Sequence, residues 1–197
     1  ALDAGTVGVT PDEPVTFKSG LRSPVYVDNR KLTFKPGPWR VVIDGFAAAL
    51  PKGRPVIAGV EAAGIPHSSA LAFSAGMPSV FVRKEAKDHG LGRRIEGGDV
   101  GGRRTILVED MVTTGGSSLS AVEALREAGA EIADCFAIIT YGFSEALEAF
   151  DAAGVRLTTL TTFQVVVAEA LAAGTIDDRQ AELVHSWLAD PHAWDDR

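Results

Sequence analysis

The sequence predicts an α/β fold, a central parallel sheet flanked by helices. Three observations predict it. Short apolar runs recur that read as buried strands. Segments of helical spacing separate these runs, and the connections between them are short. Hydrophobic residues make up 46% of the chain, enough for a real core and too many for disorder.

Ahead of the alternation, "VTFKSGLRSPVYVDNRKLTF" has strand and turn character. Residues 38–50 read as a helix with Trp39, Val42, Ile43, Phe46 and Leu50 facing inward. "PVIAGV" (55–60) is a buried strand, and 64–76 a helix of small residues. "SVFVRK" (79–84) and "RTILVE" (104–109) are the next strands. Residues 117–128 form a helix with Leu119, Val122 and Leu125 on one face and Gly129 as its stop. "DCFAIITY" (134–141) is a strand, 143–154 a helix, and "VRLTTLTT" (155–162) a fifth strand. A terminal helix over 179–190 carries Leu183 and Trp187. Between the second and third strands the pattern breaks. "RKEAKDHGLGRRIEGGDVGG" (83–102) is long, polar and Gly-rich, and a loop of that length in a compact domain is usually functional or disordered.

A length of 197 residues suggests a single domain, 1–197, with room for a small subdomain. The net charge of −7 argues against nucleic acid as a partner, because phosphate backbones demand a basic face. No apolar run approaches the ~20 residues of a membrane span, so no membrane partner is expected. "ALDAGTVGVT" has neither the basic nor the apolar region of a secretory signal. Cys135 is the only cysteine, which excludes a disulfide framework or a cysteine metal site within one chain. A reducing cytoplasm is the expected location.

The chemistry concentrates in "ILVEDMVTTGGSS" (106–118). A strand that ends in a Gly/Ser/Thr loop and enters a helix makes an anion site. Helix-terminal N–H groups are free there, and glycine lets the backbone curl around a phosphate. Thr113, Thr114, Gly115, Gly116 and Ser117 supply the donors. No lysine sits in the loop, so it is not a GxxxxGK[ST] loop, and its glycines are not spaced as GxGxxG. Glu109 and Asp110 would repel a bare phosphate. They fit a ligand with hydroxyls or a metal near its phosphate, such as a sugar phosphate whose ribose hydroxyls they bind. The plainer alternative is a helix start capped by Ser117 or Thr114. Residues 83–94 hold five basic side chains against Glu85 and Asp88, in a chain that is acidic overall. Alone, such a run reads as a solvated loop.

The 106–118 stretch resembles the phosphoribosyl-pyrophosphate (PRPP) loop of type I phosphoribosyltransferases: aliphatics, two acids, two variable residues (Met111 and Val112), then TTGG. "FKSGLRSPVYVDNR" and "VRKEAKDHGLGRRIEG" are similar to segments of the orotate phosphoribosyltransferases, and the resemblance covers nearly the whole chain. It implies a type I phosphoribosyltransferase fold with a small hood (about 1–35 plus a C-terminal segment) and a mobile lid (about 84–98). It implies PRPP and orotate as substrates, Mg²⁺ as cofactor, and orotidine monophosphate and pyrophosphate as products of a step in pyrimidine synthesis. The Mg²⁺ would be held mainly by PRPP, through water to Glu109 and Asp110. By the same resemblance Arg83, Lys84, Lys87 and His89 join residues 109–117 in binding PRPP. Lys87, His89 and Asp110 carry the catalysis, and Lys18, Tyr26, Val27 and Thr113 lie beside orotate. The lid is shared between the subunits of a homodimer.

The chain departs from some members in two places. Ala63 stands where they have a PRPP-touching lysine, and Tyr141 or Gly142 where they have an arginine for the orotate carboxylate. Two alternatives remain, a purine-base phosphoribosyltransferase and a non-catalytic PRPP-binding regulator. The lid sequence speaks against the first, and the acidic charge and absence of an appended binding domain against the second. His67, His185 and His192 are scattered, match no metal spacing, and read as surface or helix-packing residues.

Overall fold

The computed structural model describes residues 5–9, 14–17, 20–85 and 94–194. The elements are β1 (Val7–Val9), β2 (Val15–Thr16), β3 (Arg22–Ser23), β4 (Val25–Val27), a 3₁₀ helix (Asn29–Phe34), α1 (Pro36–Ala49), β5 (Val56–Val60), α2 (Gly64–Ala75), β6 (Ser79–Val82), β7 (Ile95–Glu96), β8 (Arg104–Val112), α3 (Gly116–Glu127), β9 (Glu131–Thr140), α4 (Ser144–Ala152), β10 (Arg156–Thr162), α5 (Phe163–Ala172) and α6 (Asp178–Ala189).

Six strands form the main sheet in the order β10-β9-β8-β5-β6-β7. The first five run parallel, and β7 is antiparallel at the edge, pairing Ile95 with Val82 and Glu96 with Phe81. The polar stretch expected as a loop over 83–102 therefore regains strand structure at Ile95–Glu96, and Val100 is buried. Two apolar side chains late in that stretch anchor it to β6 and the core beneath.

Because strand side chains alternate between faces, each apolar strand supplies two cores. Ile57, Ile106, Val108, Phe136 and Ile138 face α1 and α2, where Phe46 stacks on Phe136 with ring centroids 6.1 Å apart. Burying a phenyl ring of this kind stabilises by about 1.5–3 kcal/mol. Ala58, Leu107, Cys135 and Ala137 face α3 and α4, against Val122, Leu125 and Phe150. A third core joins Leu21, Val25 and Val27 to Ile139, Tyr141, Phe143, α5 and α6. Trp187 sits fully buried at its centre, and its Nε1 donates to the Arg22 carbonyl at 2.8 Å.

Besides β7, further elements differ from the sequence expectation, β8 and α5 most of all. β8 runs three residues past Glu109, keeping register with β9 as Met111 opposite Ile139 and Val112 opposite Thr140. Helix α5 was not expected. It starts directly from β10, with the Thr162 side chain accepting from Val165 N at 3.4 Å.

Candidate functional site

In a parallel sheet the ligand crevice lies at the C-terminal ends of the strands, where the connecting loops gather. Here β8 delivers Glu109 and Asp110 to that end, and the chain turns into α3 through Thr113, Thr114 and Gly115. Gly115 adopts φ +84°, a left-handed conformation that glycine adopts without strain. A Cβ there would also stand 3.1 Å from the Phe150 ring. No side chain caps α3 at Gly115, so the alternative of a helix start capped by Ser117 or Thr114 is not what the structure shows. The first-turn N–H groups are left for a ligand. Residues 111–118, with Phe17, line an open cleft of about 310 Å³.

The two carboxylates that precede this cleft in β8 differ in exposure, Glu109 being buried and Asp110 half-buried. Burial pushes Glu109 well above the usual carboxylate range, and the neighbouring Asp110 charge adds to the effect. Burial raises Asp110 as well. Glu109 accepts from Asp110 N at 3.2 Å and from Ser118 Oγ at 3.5 Å. The Asp110 carbonyl accepts from Asn29 Nδ2 at 3.1 Å, which ties the 3₁₀ helix to the strand. Among the described residues no cluster of three or more His, Cys, Asp or Glu side chains could hold a metal ion by itself. A raised, closely spaced carboxylate pair beside free N–H donors suits a ligand bringing both phosphate and hydroxyls or a cation.

Helix α2 approaches β8 closely here. A Cβ on Gly64 would lie 2.5 Å from the Val108 carbonyl oxygen and 3.4 Å from Glu109 Cα. Gly64 thereby sets where the acidic pair stands. The peptide bond Glu61–Ala62, in the loop before α2, is cis.

The other expected site residues divide into groups. Arg83 and Lys84 meet the Ser117 end of α3 in a second, smaller cavity of about 70 Å³, which Arg94 also lines. Lys84 N donates to Glu61 Oε2 at 2.9 Å, and Arg83 pairs with Glu96 at 3.4 Å. Arg94 belongs to the basic run of 83–94 but is not among the PRPP ligands that the resemblance implies. Its Nε donates to the Arg83 carbonyl at 2.9 Å and its Nη1 to Ser120 at 3.1 Å, tying this arm to α3. Lys18, Lys87 and His89 lie outside the described residues. Tyr26 and Val27 do not line the main cleft. Val27 is buried in the third core, and Tyr26 points outward, its hydroxyl donating to Asp28 Oδ2 at 3.3 Å. From that region of the chain, Phe17 lines the cleft.

Tyr141 cannot replace an arginine. It is buried with ring neighbours Phe143, Phe163, Trp187 and Phe17, and burial raises its hydroxyl further from ionisation. Gly142 takes φ +78° beneath the Gln164 side chain. His67 is buried between α1 and α2, where its Nδ1 accepts from Trp39 Nε1 at 3.0 Å. His192 is exposed and pairs with Glu145 at 3.3 Å.

Known proteins resemble this chain along most of its length. Residues 43–171 match the phosphoribosyl transferase domain family. The orotate phosphoribosyltransferase of Bacillus caldolyticus is 39% identical over 98% of this chain and 95% of its own length. That of Listeria monocytogenes serovar 1/2a is 37% identical over 98% of this chain and 94% of its own. Among solved structures, Leishmania donovani UMP synthase superposes with a TM-score of 0.84 at 27% identity, over 95% of this chain and 40% of that one. Orotate phosphoribosyltransferase from Aeropyrum pernix gives 0.74 at 26% identity, over 89% of this chain and 97% of that one. The carboxylate pair, the uncapped helix start and this likeness along almost the whole length agree, and the chain belongs to the orotate phosphoribosyltransferases of the phosphoribosyl transferase domain family.

Proposed function

We propose that the cleft over residues 109–118 is where this orotate phosphoribosyltransferase binds PRPP and passes its phosphoribosyl group to orotate, making orotidine monophosphate and pyrophosphate for pyrimidine synthesis. One observation carries the assignment. Buried Glu109 and half-buried Asp110, both raised in pKa, stand in β8 a few residues ahead of a helix N-terminus that no side chain caps. The 5-phosphate would take the N–H groups from Thr114 to Ser117, and the ribose hydroxyls would donate to Glu109 and Asp110. Orotate N1 attacks ribose C1 while the C1–O bond to pyrophosphate breaks, and pyrophosphate leaves with the electron pair. The sugar passes through an oxocarbenium-like state, as glycosyl centres do. Orotate that binds with N1 deprotonated needs no strong base.

Arg83, Lys84 and Arg94, together with Lys87 and His89, supply positive charge for the departing pyrophosphate, a stabilisation that grows as the bond breaks. Mg²⁺ bound to PRPP would neutralise pyrophosphate charge, and Glu109 and Asp110 would hold it through water. The chain works as a homodimer in the cytoplasm, with residues 84–98 closing over the partner's cleft. No helix among the described residues is long and apolar enough to cross a membrane. The deciding assay is loss of orotate absorbance on adding PRPP and Mg²⁺, with uracil, adenine and hypoxanthine as control acceptors. Asp110→Asn should also lose the stabilisation that PRPP–Mg²⁺ confers, about 2.7 kcal/mol at a hundred times the dissociation constant. Faster turnover of a purine base, or a PRPP-induced melting shift unchanged in Asp110→Asn, would overturn the proposal.

A further inference from the structure

We propose that Phe17 is the base-binding wall of the cleft: the planar acceptor lies against its ring, which favours flat aromatic acceptors. This deepens the function proposed above and rests on it. Among the described residues nine line the cleft, eight of them consecutive over 111–118 and the ninth Phe17, far away in sequence. The lining has two chemical ends. Thr113 to Ser118 present hydroxyls and N–H groups, whereas Phe17 and Met111 are apolar and both pack on the third core. Phosphate belongs at the first end. The base is joined to the far side of the ribose from the 5-phosphate, so it falls toward the second.

Phe17 is held in place for this role. Its N–H donates to the Leu21 carbonyl at 2.8 Å, and its own carbonyl accepts from Gly20 N at 2.9 Å. Behind the ring stand Tyr141, with centroids 5.7 Å apart, and Trp187, edge-on at 6.3 Å. The ring is thus backed by aromatic packing yet only half-buried, with its remaining surface on the cleft. A phenyl group whose only role was to fill the core would be closed off, as Phe163 and Phe150 are. A rigid aromatic wall binds a flat partner with little loss of side-chain freedom. Among the described residues that line the cleft none is cationic, and what Phe17 offers the acceptor is the face of its ring.

The test is steady-state kinetics of Phe17→Ala, Phe17→Leu and Phe17→Tyr, varying orotate and PRPP separately. Stacking on an aromatic side chain is worth on the order of 1–3 kcal/mol, so Phe17→Ala should raise the orotate KM about ten- to a hundredfold. Phe17→Leu keeps the apolar bulk and should raise it about three- to tenfold, and Phe17→Tyr should restore it to within about threefold. The PRPP KM should stay within about threefold throughout. An orotate KM unchanged in both the Ala and Leu variants overturns the proposal. So does a parallel rise of both KM values, which would make Phe17 a support for the chain around it. Failure of the underlying function looks different, since the unaltered enzyme would then not consume orotate at all.

Discussion

Gly64→Ala tests how tightly the acidic pair is positioned. The added Cβ would stand 2.5 Å from the Val108 carbonyl oxygen, backbone against backbone, where no side-chain rotation gives relief. A carbon and a carbonyl oxygen settle at about 3.3 Å, so α2 and β8 must separate by roughly 0.8 Å. Overpacking of this kind costs about 1–3 kcal/mol. At about 2–4 °C per kcal/mol for a chain of this size, the melting temperature should fall by about 2–12 °C. The displacement falls on Val108 and Glu109, and misplacement by about 1 Å near a reacting centre costs up to about 10²-fold, so kcat/KM should drop by about ten- to a hundredfold. Gly37→Ala is the control. Gly37 lies in α1 with nothing within 4 Å of a built Cβ. The unfolded chain loses freedom there, but the Pro38 ring crowds a Cβ on the preceding helical residue, so stability should change by less than about 1 kcal/mol and the rate should stay unchanged. The measurements are circular-dichroism melting and orotate consumption. A Gly64→Ala variant that melts within 1 °C of the parent and turns over within twofold would refute the reasoning about α2 and β8.

His67 should make the protein acid-sensitive. Its pKa is lowered to about 4 by burial, while the unfolded side chain titrates near 6.5. The unfolded state therefore binds the proton first, and stability falls as pH drops from about 6.5 toward 4, by about 3 kcal/mol in all. Glu109 and Asp110 are shifted the other way and gain stability over acid pH, so the comparison must be with His67→Phe, whose denaturation midpoint should lack this component. Equal pH profiles for the two proteins would exclude it. Lys87→Ala should lower kcat by about 10²–10³ with little change in KM, as for loss of a group acting on developing charge. A normal kcat with a greatly raised PRPP KM would reduce Lys87 to ground-state binding. Lys87→Ala and Asp110→Asn, each nearly inactive alone, should regain roughly a quarter of parental activity after equimolar subunit exchange, because half the dimers then carry one intact site. Continued inactivity with mixed dimers demonstrably present would put the lid over its own cleft.

Much of this molecule is readable from its sequence because apolar runs end where strands end. The exceptions have physical causes. β8 continues through Glu109 and Asp110, whose charges break the apolar run while their backbones keep pairing with β9. Helix α5 follows β10 with no turn residue between them, and its Val165, Val166 and Val167 carry the β-branched look of a strand. The two-residue strand β7 leaves no periodic signal. At the site, the "ED" and "TTGG" pattern is local chemistry and shows directly in the sequence. Phe17, Asn29 and Arg94 reach the cleft region only through tertiary structure. No spacing rule brings Phe17 beside Met111, or Asn29 to the Asp110 carbonyl. Tyr141 stood where a ligand-binding residue was sought, and is a core residue because four aromatic rings close around it.

The hydrogen bond from Trp187 to Arg22 spans 165 residues and has a consequence for biosynthesis. The parallel sheet and its acidic pair are complete once β10 has left the ribosome. Leu21, Val25 and the backing of Phe17 must still wait for α6. A growing chain therefore builds its loop over 113–117 early and the Phe17 wall of its cleft last. A message truncated before Trp187 would yield a protein with the carboxylates in place and with Leu21, Val25 and Phe17 short of the packing that α6 supplies. Activity becomes a report that translation ran through α6.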